Sequence, residues 1–283
     1  MNQSNPQRLV TGITQVASLP EIYMKIEMAM GNPKSSSKYL ADILSEDTAL
    51  TARILRLANS SFFSFPGKVT TVTQAVTVIG TRQLRDIVLA SSIVGVFKDI
   101  PEELIDMKSF WRHSIACGVT ARVISTLRRE TNIETAFVSG LLHDIGRLVL
   151  YKAKPTEMGH LIEKCSDSKE LLYKSEKEFF GFDHALLGGL LLKEWKLPTR
   201  LIETTTYHHA PGRAKEYIIE TATVHVSDII ANALTTGSSG EKFIPPLSDK
   251  AWKILGLEDG SIELITDELD KQYAVAVEFV LSE

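Results

Sequence analysis

The chain has 283 residues, 44% of them hydrophobic and 23% charged, with a net charge of -4 and a pI near 6.0. That length and apolar content suffice to bury a substantial core in one large domain or two smaller ones, as in an ordinary globular protein. The charge leaves no basic excess to neutralise phosphates beyond local patches such as Lys152 to Lys154, so nucleic acid is not an expected partner.

Cys117 and Cys165 are the only cysteines. They are too few for a disulfide framework or a thiolate zinc site, and reduced thiols are expected. No secretory leader pattern opens the chain and no run of about 18 apolar residues occurs, so a cytoplasmic location and no membrane partner are expected.

Helical signals recur along the chain, whereas sustained period-two alternation is hard to find. In "SSSKYLADILSEDTALTARILRLANSS", Ser36 or Ser37 caps a predicted helix carrying Leu40, Ile43 and Leu44. Asp47 caps a second with Leu50, Ile54 and Leu57 on one stripe, ending at Asn59 to Ser61. An aromatic loop with Phe62, Phe63 and Phe65 is broken by Pro66 and Gly67. A short helix follows to Ile79, where Gly80 supplies the stop. "TRQLRDIVLASSIVGVF" reads as another apolar helix, and "DIPEELIDMK" as an acidic connection between two helical blocks. This places a boundary near residue 100, with blocks 1–100 and 101–283.

The second block contains "GLLHDIGRLVL", a near-continuous apolar helical run interrupted only by charged or polar His143, Asp144 and Arg147. A polar stretch from Lys164 to Lys177 precedes "GFDHALLGGLLLKEWKLP" and "TATVHVSDIIANAL". Then comes "TTGSSGEKFIPPLSDK", read as a looser region, and a helical segment around Ser261 to Leu281. No repeat of solenoid period is evident.

Six of the seven histidines lie in this block's helical or helix-terminal segments: His113, His143, His184, His208, His209 and His225. His160 reads as a surface residue. Any one of the six is readily a core histidine satisfied by its neighbours, but their clustering points to a metal site. Neutral imidazole and ionised carboxylate are the usual ligands of divalent transition metals. Asp228 lies among core-like Val224, Ile229 and Ala231, where a charge is costly unless paired or bound to metal. His225, three residues earlier on nearly the same face, is a candidate hydrogen-bond partner rather than a ligand. His208 and His209 follow a threonine run at a helix end, from which both can reach one site.

"FWRHSIACG", "GLLHDIGRLVL", "FGFDHALLGGLLLKEW" with Leu197 and Pro198, "YHHAP" and "VHVSDIIANAL" resemble the HD superfamily of metal-dependent phosphohydrolases. "SLPEIYMKI" and "ILSEDTALTARILRLANSSFFSFPGKVTTVTQAVTVIGTRQLRDIVLA" are similar to the N-terminal part of the HDOD family, the HD-related output domains of bacteria. The resemblance covers roughly residues 15 to 235.

It implies an all-α fold, with an N-terminal helical bundle packed on an HD-type helical bundle, and a signalling or regulatory role exerted through protein partners. It also implies metal ligands at His113, His143, Asp144, His184, His208, His209 and Asp228. One or two divalent ions (Fe, Mn, Zn or Ni) would be shared so that His113, His143 and Asp228 surround one, His184, His208 and His209 the other, and Asp144 bridges them. If the centre is catalytic, Asp144 and Arg147 carry the chemistry on a nucleotide or phosphoester, with Arg147 as phosphate clamp.

Three departures matter. Phosphodiesterases of the HD-GYP branch carry lysine where this chain has Arg147, and their "HHExxDGxGYP" signature is absent, since His208 and His209 run into "APGRAKEY". Ser109 stands where a three-metal variant has glutamate. The N-terminal block, from about Ser18 to Phe97, supplies no candidate ligand, which favours a regulatory role over a minimal hydrolase.

Overall fold

The structure is a computed structural model that describes residues 5–282 except 16, 33–34, 64, 98–99 and 259. Among the described residues every regular element is helical. Up to residue 100 the chain forms α1 (Pro6–Thr14), α2 (Glu21–Met30), α3 (Ser37–Leu44), α4 (Thr48–Ala58), α5 (Val72–Ile79) and α6 (Thr81–Ile93). Beyond it come α7 (Met107–Leu127), α8 (Ile133–Leu142), α9 (Ile145–Ala153), α10 (Pro155–Ser168) and α11 (Leu172–Phe180). They are followed by α12 (His184–Glu194), α13 (Thr199–Tyr207), α14 (Ile218–Ala233), α15 (Asp249–Leu255) and α16 (Ser261–Leu281). No helix among the described residues is long and apolar enough to cross a membrane.

The starts of these helices follow from local chemistry. Ser36 accepts a hydrogen bond from Tyr39 N (3.2 Å) at the head of α3, and Asp47 accepts one from Leu50 N (2.9 Å) at the head of α4. Thr71 and Gln74 form a reciprocal capping box on α5. Gly80 ends that helix at φ +87, a conformation that side chains strain to adopt.

Helices α2 to α6 pack on one another, and α6 leans on α8. The two ends of the chain cross over: α1 packs on α9 and α12, while α16 packs on α7, α4 and α6. One continuous apolar core therefore runs from Val10 to Val280. Phe62 lies inside it, edge-on to Phe137 at 5.5 Å, with the buried Arg122 guanidinium 3.9 Å above its ring. Arg122 also donates to Gln272 (2.7 Å) and to the Phe62 carbonyl, tying the aromatic loop to α16. Phe62 thus packs against α7 and α8 with half-buried Phe63 beside it, whereas Phe65 is exposed.

The run "GLLHDIGRLVL" is not one helix. It breaks at its histidine–aspartate pair: α8 ends at Leu142 and α9 starts at Ile145. Consecutive residues on a continuous helix point about 100° apart, so the break lets both side chains face one site. His143 Nδ1 donates to the Gly140 carbonyl at 2.7 Å and Asp144 turns at φ -97, ψ 6.

Glycines set how closely the neighbouring helices approach. A Cβ on Gly140 would lie 2.7 Å from Gly118 Cα, so α7 and α8 cross at backbone contact. A Cβ on Gly146 would overlap the His184 carbonyl oxygen and Gly188 nitrogen, so α9 and α12 do the same. The first crossing brings His113 to His143 and the second brings His184 to Asp144.

Candidate metal centre

The seven side chains singled out as ligands converge. They form two groups: His113, His143 and Asp228 in one, and Asp144, His184, His208 and His209 in the other. Within the first, Asp228 Oδ1 is 3.2 Å from His113 Nε2 and 3.4 Å from His143 Nε2. In the second, His184 Nε2 is 2.8 Å from Asp144 Oδ1, and the Nε2 atoms of His184, His208 and His209 stand 3.1 to 3.4 Å apart. Asp144 faces both, since its Oδ2 is 3.4 Å from His143 Nε2 and 3.9 Å from His113 Nε2.

The donors are oriented for a cation. His143 Nδ1 donates to Gly140 O (2.7 Å), His208 Nδ1 to Thr205 O (2.7 Å) and His184 Nδ1 to the buried Glu176 carboxylate (2.6 Å). Each bond fixes the tautomer that leaves an Nε2 lone pair pointing inward. Lone pairs facing one another repel unless something positive lies between them. Consistent with that demand, His113 Nε2, His143 Nε2 and Asp144 Oδ1 are buried and form no hydrogen bond to any group outside the cluster among the described residues. Helices α8 and α13 end immediately before His143 and His208, so the negative ends of two helix dipoles also point at the cluster. Imidazole nitrogen with carboxylate oxygen suits Fe, Mn, Zn or Ni, and the residues present fit such an ion.

Electrostatics in the cluster follow from burial set against close opposite charges. Burial disfavours a charged His143, but Asp144 beside it more than offsets this and holds the ring's pKa well above its ordinary value. His184 is pushed up to about 9, with burial and Arg147 opposed by Glu176 and Asp144. His208 falls to about 3 through burial and the neighbouring His143 and His184. Burial alone would raise Asp144 and Asp228, yet both lie well below the usual carboxylate range. Arg147 and the histidines dominate at Asp144, and His113 with His143 at Asp228.

Arg147 lies behind the cluster with 1% of its surface exposed. Its Nη1 donates to Ser239 Oγ at 2.7 Å and lies 3.7 Å from Asp144 Oδ2, and its Nε is 3.6 Å from Glu176 Oε1. In this conformation the guanidinium is held by protein acceptors.

The segment that holds it was expected to be loose, and it is not. Ser239 and Glu241 are buried, Tyr151 donates to the Ser239 carbonyl at 2.8 Å, and Glu241 accepts from Leu172 N at 2.8 Å. Gly240 sits at φ +105 against the Tyr151 hydroxyl, where a Cβ would collide. The segment lacks periodic structure but is pinned by side chains from α9 and by α11, contacts that local sequence does not encode.

His225 is a hydrogen-bond partner, though not of Asp228. It donates through Nδ1 to the His208 carbonyl (2.7 Å) and accepts from Ser248 N (3.0 Å). Glu176 was missed from sequence, although a signal existed. It lies four residues after Leu172 and four before Phe180, so a charge sits on the buried stripe of α11. Tyr173, stacked on His209 at 4.1 Å, was missed too.

The profile of the HDOD domain family matches residues 16–211. The chain belongs to the HDOD family. An HDOD domain protein of unknown function from Geobacter sulfurreducens has a solved structure that is similar to this one, with 25% identity, 98% of each chain covered and a TM-score of 0.76. A protein of Shewanella amazonensis provisionally described as a phosphohydrolase superposes at a TM-score of 0.73, with 24% identity and 96% of each chain covered, a likeness of fold alone. An uncharacterized protein of Treponema pallidum (strain Nichols) is 25% identical over 207 residues, which span 72% of this HDOD chain and 40% of that relative.

Proposed function

We propose that this HDOD protein is a regulatory output module whose second block holds one or two divalent transition-metal ions at the His113–Asp228 cluster, and which acts mainly through a protein partner. The carrying observation is closure. Six of the seven ligand side chains are at most 4% exposed, and the cation nearest them, Arg147, is bonded to the protein's own Ser239. A centre built that way can set the relative positions of α7, α8, α13 and α14 without admitting a substrate.

A second reading, a metal-dependent phosphohydrolase acting on a phosphoester or nucleotide, is favoured by one specific feature: both ligand groups are complete and share Asp144. Bound ions would supply Lewis-acid charge stabilisation and water activation. The chain's own contribution would be Asp144 presenting one oxygen to each group, and Arg147 exchanging Ser239 for a phosphate oxygen.

Elemental analysis with a hydrolysis assay separates the two. Purified protein is expected to carry near-stoichiometric metal that falls sharply in Asp144→Ala, with no more than slow turnover of bis-p-nitrophenyl phosphate and of cyclic di-GMP. Rapid turnover abolished by Asp144→Ala would overturn the regulatory reading. Failure to take up any divalent transition metal would overturn both.

A further inference from the structure

The buried Arg122 guanidinium lies beside an open cleft. The cleft, of about 450 Å³, is bounded by the aromatic loop, α7, the start of α8 and α16, and its lining combines Phe63, Leu127, Ile133 and Leu264 with Arg122 and Glu268. Leu127 and Leu264 are 37% and 46% exposed, so the walls present apolar surface to solvent, while Arg122 is 7% exposed.

No carboxylate answers Arg122 at close range. A guanidinium carries five N–H groups, and the protein takes two of them, through the Gln272 side-chain oxygen (2.7 Å) and the Phe62 carbonyl, both uncharged. Its Nε is buried without a partner, and Arg122 forms no ion pair among the described residues. Glu134 attracts it from beyond ion-pair distance, with its carboxyl group bonded to its own backbone N–H. Burial outweighs that attraction and holds the guanidinium below its ordinary pKa. The Phe62 ring, 3.9 Å away, supplies only a fraction of what a paired carboxylate would. Glu268, the acid on the lining, is itself held by Lys271 at 2.7 Å and by Gln272 at 3.3 Å. A buried charge is costly unless it is paired, so the cleft is short of one negative charge.

We propose that this cleft binds a small monocarboxylic acid with an apolar body, its carboxylate on the N–H groups of Arg122 that the protein leaves unbonded and its body against Phe63, Leu127 and Leu264. A planar carboxylate matches the guanidinium fork. Arg122 is the one cation on the lining among the described residues, and Glu268 on the same lining repels a second negative charge, so a monoanion fits where a phosphate ester does not. A cleft of this size takes a small organic ligand. The site is separate from the metal centre, since Arg122 lies nine residues, about 14 Å along α7, from His113. The proposal does not rest on the metal reading.

Isothermal titration of the full chain with octanoate and 3-phenylpropionate, each beside its alcohol (1-octanol and 3-phenylpropanol), tests it. At least one acid is expected to bind roughly tenfold or more tightly than its alcohol. Arg122→Gln removes the charge but keeps a donor for the Phe62 carbonyl, and is expected to bring the acid to within about twofold of the alcohol while the alcohol is unchanged. A purely structural role for Arg122 would weaken both alike. Leu264→Asp places a like charge at an exposed position, where the fold is retained, and is expected to weaken the acid roughly tenfold, more than the alcohol. Circular dichroism verifies folding, and if Arg122→Gln does not fold, Leu264→Asp decides alone. Asp144→Ala is expected to leave affinity within about twofold. Four results overturn the proposal. They are no acid binding better than its alcohol, a preference for the acid that survives the folded variants, binding lost in Asp144→Ala, which would place the carboxylate on the metal centre, or tighter binding of the peptide acetyl-Ala-Ala-Leu, which would assign the carboxylate to a partner's chain end.

Discussion

Gly146→Ala sets two effects of opposite sign against each other. Gly146 lies inside α9 with ordinary helical geometry, so propensity alone predicts that alanine stabilises the protein by about 1 kcal/mol. The tertiary structure predicts the reverse. The new Cβ would overlap the His184 carbonyl oxygen and the Gly188 nitrogen, and these are backbone atoms that cannot rotate aside. Overpacking of this kind costs about 1–3 kcal/mol or more, and α12 must move away from α9. That movement carries His184 from its 2.8 Å approach to Asp144, so metal affinity should fall roughly tenfold or more. Urea unfolding followed by circular dichroism reads the first effect as a lowered midpoint at unchanged slope, and elemental analysis after dialysis reads the second. Gly12→Ala is the control: Gly12 is helical and exposed, nothing lies within 4 Å of its Cβ position, and a gain of about 0.5–1 kcal/mol is expected. A Gly146→Ala protein with an unchanged or raised midpoint and full metal content would refute the reasoning.

Arg122→Ala removes a buried strut and leaves the Phe62 carbonyl unanswered. A loss of about 2–4 kcal/mol is expected, read from the urea midpoint. Metal uptake should release protons at neutral pH, because the rings of His143 and His184 hold protons above their ordinary range and must shed them to coordinate. Apparent metal affinity should therefore rise with pH and be lost as pH falls. Titration heats compared across buffers of different ionisation enthalpy count the protons, and none released would contradict the assignment. Tyr151→Phe deletes the hydroxyl that holds the Ser239 carbonyl at 2.8 Å. With the strap loosened, a chelator such as EDTA should extract metal faster than from the wild type, while an unchanged rate would show that the strap does not limit access.

Sequence by itself determined the all-α class, the family, the starts of α3 and α4 and the identity of the seven clustered side chains, because these rest on information local to a few residues. Ser36, Asp47 and the Thr71–Gln74 box act within one turn, and the stripe carrying Leu50, Ile54 and Leu57 is periodic in the chain itself. Even the division of these side chains into two groups was legible, since the resemblance carried the pairing of distant positions.

Only the tertiary structure decided what surrounds them. The break between α8 and α9 looks helical by hydropathy, and it exists because both members of an adjacent pair must face one site. Gly146 reads as a weak helix residue until α12 is placed against it. The segment around Ser239 reads as loose because its anchors, Arg147 and Tyr151, lie about ninety residues earlier. Caps and stripes act between near neighbours in sequence, whereas close crossings and pinned loops act between surfaces that only folding brings together.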